Sequence, residues 1–115
     1  MAKDPHDKAN LEMTLEDHLA LGSTPLQVLR NNPGKTLAET MNDAELSAFI
    51  RREVEMVAEV FERAKRSGDQ RDNETLLRIA LDGFLVRNIA YLREIGRLPT
   101  EFADLDPVAR FALDE

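Results

Sequence analysis

The sequence predicts an all-α fold: an antiparallel hairpin of two long helices, preceded by short N-terminal helices and followed by a short C-terminal helix. Three observations predict it. Apolar residues recur at three- and four-residue intervals through two stretches, about 43–67 and about 74–95. Gly and Pro fall mostly between such stretches, as at Gly22, Pro33-Gly34, Gly68 and Gly96. Pairs that can cap a helix N-terminus, Thr36 with Glu39 and Asn42 with Glu45, stand just ahead of apolar runs.

The second long helix organises the rest, because it is apolar on two sides. At about 100° per residue, Leu77, Leu81, Phe84, Leu85, Leu92 and Ile95 fall along one stripe. Ile79, Gly83, Val86 and Ala90 fall along the opposite one. A surface helix needs cover on one side only, so this helix requires cover from two directions. The second cover is either the short N-terminal helices or a second copy of the chain. A second copy is the stronger expectation, since two hairpins assemble readily into a four-helix-bundle homodimer. Gly83 adds weight: Gly inside a helix costs about 1 kcal/mol relative to Ala, and close approach of another backbone would offset that.

In chain order, residues 1–10 are charged and contain Pro5, and read as a flexible tail. Residues 11–115 form one helical domain. Asn10 is placed to cap a short helix through about Leu21, ended by Gly22. Thr24-Pro25-Leu26-Gln27 reads as another helix start, and Asn31-Asn32-Pro33-Gly34 as a turn. The first long helix follows, with Leu46, Ile50, Val54, Val57, Phe61 and Ala64 inward. Asp43 and Glu45 stand near its start, and Arg63, Lys65 and Arg66 near its end, as the helix dipole favours. Residues 67–73 read as a polar connection that reverses the chain. After Gly96 and Pro99, Phe102, Leu105, Val108 and Phe111 recur at about three-residue spacing among acidic residues, and Asp106-Pro107 reads as a helix start. This tail is a candidate partner-binding helix, with docking on its own hairpin as the plainer reading.

Composition excludes several classes. With 115 residues, a net charge of −7 and no Cys, the chain has no thiolate chemistry and is a poor match for a nucleic-acid backbone. It has no signal-type apolar run and no stretch long enough to span a bilayer. A cytoplasmic location is the expectation. Thr36 to Ile50 resembles a helix-turn-helix, but its spacing is about two residues short and its second helix opens on Asp43 and Glu45, which repel phosphate.

Few residues suggest chemistry. Glu53 falls within the apolar stripe of the first long helix. It is either a carboxylate with a raised pKa, suited to act as a base or ligand, or one paired with Arg78 or Arg87. Neither His6 nor His18 has a Glu three residues before it, and no zincin spacing exists. No metal, no cofactor and no catalytic residue is therefore expected. Asn88 lies mid-stripe and is either a register-setting interface residue or one bonded to a nearby carbonyl. The interface candidates are Ile79, Gly83, Val86, Asn88 and Ala90. The expected function is that of a non-enzymatic regulatory or adaptor protein, a homodimer that binds another protein. The alternative is an accessory subunit of a larger enzyme complex. A DNA-binding regulator and a small helical enzyme built on Glu53 and His18 have less behind them.

Overall fold

The computed structural model of this chain describes residues 4–66 and 70–111, with side chains for all of these but 70–73. It is mostly helical, and no strand occurs among the described residues. Two short 3-10 turns, Pro5–Asp7 and Asn10–Glu12, precede α1 (Leu15–Ala20) and α2 (Gln27–Asn31). A third 3-10 turn, Ala38–Thr40, leads into α3 (Asp43–Arg66), a continuous helix of 24 residues. Then come α4 (Gln70–Ala80), a π-helical turn (Leu81–Val86) and α5 (Arg87–Glu94). A 3-10 turn at Thr100–Phe102 and α6 (Pro107–Arg110) complete the described chain.

Local hydrogen bonds explain most boundaries. Thr14 and Asp17 exchange bonds at 2.9 and 3.3 Å and start α1 afresh. The helix expected from Asn10 through Leu21 is therefore split, with Met13 extended between its parts. The Asn42–Glu45 pair opens α3 with reciprocal bonds of 3.0 and 2.8 Å. The Thr36–Glu39 pair forms the same box but introduces only the 3-10 turn. The expected start at Thr24 does not form. Gln27 turns its amide along α2 to Asn31 at 3.1 Å, and the helix begins after Leu26 without a side-chain cap. Gly34 takes φ +93°, as a turn with Gly at its third position demands.

The expected second long helix is corrected in two ways. It begins at Gln70, so 70–73 belong to a helix and not to the connection; residues 67–69, with the expected end at Gly68, lie outside the described residues. It is also not a uniform α-helix, because the π turn interrupts it. The reason lies in the buried positions Leu77, Leu81, Leu85 and Ile89, spaced by four. Each four-residue step drifts about 40° around an α-helix, so a uniform helix would rotate this row out of the core. The wider π turn absorbs that drift.

The core has two apolar clusters. Leu11, Leu29, Leu37, Ala38, Leu46, Ile50 and Leu92 form one. Val57, Leu77, Ala80, Leu81, Leu85, Ile89 and Phe111 form the other. Leu46 and Ile50 of early α3 thus share a cluster with Leu92 of α5, while Val57 shares one with residues of α4, the π turn and α5. Arg97 clamps the first cluster by donating to the carbonyls of Ala38 and Met41 at 2.8 and 2.9 Å.

Candidate functional site: an uncovered apolar face and a buried polar pair

The outer face of α4 is open. Leu76 and Ile79 are 56% and 64% exposed, although both are large aliphatic residues. Gly83 is exposed one turn further on, and no neighbouring atom lies within 4 Å of where a Cβ would stand. Leu76, Ile79 and Gly83 follow one another at three- and four-residue spacing, the interval of a helix-packing seam. Ala90 is also exposed, whereas Val86 is half-buried against the second cluster. The stripe expected from Ile79 through Ala90 is therefore not straight, because the π turn changes the rotation between its two ends. Leu76 is an addition to it; its spacing of three from Ile79 was the available signal.

Asn88 lies elsewhere. It is 0% exposed, and its side chain is held wholly within the chain. Its Oδ1 accepts from the Leu11 amide at 3.0 Å, and its Nδ2 donates to Glu53 Oε1 at 2.8 Å and to the Phe84 carbonyl at 3.1 Å. The Leu11 N–H can only donate and the Phe84 C=O can only accept, so the amide has one orientation. That carbonyl belongs to the π turn, where Asn88 supplies a donor to the altered backbone. The plainer of the two readings of Asn88, a bond to a nearby carbonyl, describes this geometry.

Glu53 is 5% exposed. Burial raises its carboxyl to about pKa 8, against the opposing bond from Asn88 and the favourable charge of Arg52. It is paired with neither expected arginine: Arg78 is exposed, and Arg87 pairs with Asp82 at 2.8 Å. The pair Glu53–Asn88 stands between Ile50 and Val57 on α3 and between Leu85 and Leu92 opposite, so a polar layer lies between the buried residues of the two apolar clusters, while Val54 and Leu98 touch both. His18 lies near Ser23 on the surface, with its Nδ1 3.3 Å from the hydroxyl. Among the described residues no group of three or more His, Asp or Glu is arranged to hold a metal ion. No helix among them is long and apolar enough to cross a membrane.

The C-terminal candidates do not form one amphipathic helix. Phe102 packs on the first cluster and Leu105 on the second, while Val108 is 59% exposed. Phe111 is buried and meets Phe61 edge-on, with ring centroids 5.6 Å apart. Pro99 and Asp106 break the stretch into two short turns, and Arg93 ties it down by donating to the Leu105 carbonyl at 2.8 Å. Phe111→Ala is expected to cost about 1–2 kcal/mol, below the usual range for a buried Phe because the single turn of α6 that carries it can settle into the space. Urea denaturation checks it; an unchanged midpoint would remove this stretch from the core.

No protein-family model matches this chain, and neither a curated protein nor a solved structure matches it.

Proposed function

We propose that this protein is a non-enzymatic regulatory or adaptor protein that works by protein–protein binding, as a homodimer joined through the outer face of α4 and the π turn. The observation that carries this reading is the uncovered apolar row of Leu76 and Ile79 leading to Gly83. Exposed aliphatic surface leaves about 25 cal/mol per Å² unrealised until another surface covers it. A residue without a side chain lets a second helix come close, which suits two-fold pairing of identical faces. Arg78 is exposed beside the row, and Asp82 beside it stays half-exposed while paired with Arg87, so both signs of charge flank the face. A four-helix-bundle arrangement of two such chains follows from this reading, in a cytoplasmic setting and without membrane or nucleic acid as partner.

The alternative, an accessory subunit of a larger enzyme complex, uses the same face with a different occupant. Sedimentation separates the two. The unmodified chain is expected to be a dimer whose melting temperature rises with concentration, and Ile79→Asp or Gly83→Glu to be folded monomers whose melting temperature does not depend on concentration. Both positions face solvent in the single chain, so a charge there harms only the paired state, where it would be buried without a partner. A monomeric unmodified chain would favour the accessory subunit. A dimer of unchanged strength in both variants would remove this face from consideration.

A further inference from the structure

We propose that the N-terminal segment from Asp4 to Glu12 is a releasable strap, clasped over the Glu53–Asn88 pair and able to open while the helices beneath stay folded. The segment is charged and consists of two 3-10 turns joined by extended residues, so it carries little local stability of its own. It is fastened by three polar contacts and two buried side chains. The Leu11 amide donates to Asn88, the Arg87 guanidinium donates to the His6 carbonyl at 2.8 Å, and the Lys8 ammonium holds Asp17 of α1 at 2.9 Å, while Ala9 and Leu11 are buried, Leu11 within the first cluster. Beyond it, Met13 is fixed by a bond from the Leu37 amide at 3.0 Å, which places the hinge near Met13.

The clasp depends on which way the Asn88 amide faces. Glu53 and the Phe84 carbonyl both accept from Nδ2 and so turn Oδ1 toward the strap. Glu53 is a positioning residue in this device, acting on the strap through Asn88. The charged groups of the surrounding elements are committed elsewhere. Lys8 pairs with Asp17 at 2.9 Å, Glu12 accepts from the Ala9 amide, His6 contacts Asp4, and Arg87 pairs with Asp82. Arg52 is exposed beside Glu53 on α3 and offsets burial only in part. An ionised Glu53 would therefore sit under the strap with the Asn88 amide as its donor. Lifting the strap admits water to it at the cost of the Leu11, His6 and Lys8 contacts and of one residue of the first cluster, whereas parting α3 from α4 and α5 would break both clusters. An open strap leaves the Asn88 acceptor without the Leu11 amide.

Amide exchange on the intact chain tests this, with each rate expressed as protection so that intrinsic pH effects cancel. It is measured below and above the Glu53 value of about 8. Protection at Leu11 is expected to fall roughly tenfold across that interval relative to amides in the middle of α3. Glu53→Gln is expected to abolish the fall. Asn88→Ala is expected to leave Leu11 unprotected at both pH values while the middle of α3 stays protected. Parallel loss at Leu11 and α3 in these experiments would overturn the proposal, as would pH-independent protection at Leu11. Should Asn88→Ala fail to fold, the comparison of the unmodified chain with Glu53→Gln decides alone.

Discussion

Asn88→Leu is expected to destabilise the fold by about 3 kcal/mol, since a buried group left without its partner costs about 1–3 kcal/mol and three lose theirs. The Leu11 N–H and the Phe84 carbonyl lose Asn88 as their partner, and Glu53 loses its donor. Leu keeps the branched shape of Asn and has no hydrogen-bonding atoms, and its bulkier methyl groups add a packing cost of the same sign. An Asn that merely set the register of an interface would give the opposite sign, because an apolar seam residue is the more stable one. Urea denaturation below neutral pH measures it. A midpoint that stays or rises would show that the three bonds contribute nothing net to the fold.

The helical class was legible because it rests on local patterns. Leu46, Ile50, Val57 and Ala64 follow the α period, and the Asn42–Glu45 box is a short-range pairing, so α3 lies where the sequence puts it. The π turn was not legible. A wheel at constant rotation assumes what the four-residue spacing of Leu77, Leu81, Leu85 and Ile89 contradicts, and that spacing was the available signal. The partner of Glu53 was hidden for a different reason. The Arg that would have suited it, Arg87, is drawn to Asp82 and the His6 carbonyl instead. A bond between the Leu11 amide and Asn88 joins positions 77 residues apart, and no local pattern encodes it. The two apolar sides of the second helix meet different surroundings at Leu77 and Ile79. Leu77 is buried and Ile79 open, while the second-copy cover inferred for Ile79 rests on the proposal above.

Glu53→Gln is expected to stabilise the protein above neutral pH and to change little in acid. The sign follows from which state holds the proton. Below about pH 4.5 the folded and unfolded chains both carry it. Between about pH 4.5 and about 8 the unfolded chain has released the proton and the folded chain keeps it, so stability falls as pH rises. Above about 8 the loss is complete. Linkage at 1.36 kcal/mol per pH unit sets the ceiling for that loss, and admission of water lowers it to roughly 2 kcal/mol. Gln occupies nearly the same volume, and its carbonyl oxygen can still accept from Asn88, so the variant removes the proton equilibrium and leaves the contact. Other carboxyls work in the opposite direction at lower pH. Bonds from Thr36 hold Glu39 below its ordinary value; burial would raise Asp17, but bonds from Thr14 and Lys8 override it. Their stabilisation is gained as pH rises through the acid range and is complete before neutrality. Denaturation midpoints of the two proteins should therefore coincide near the acid end and diverge through neutrality, the variant lying higher. Curves that stay parallel across the whole interval would mean that Glu53 titrates alike in the folded and unfolded chains and is ionised within the fold above about pH 4.5. In that case neither the raised carboxyl nor the pH-dependent opening of the strap would stand.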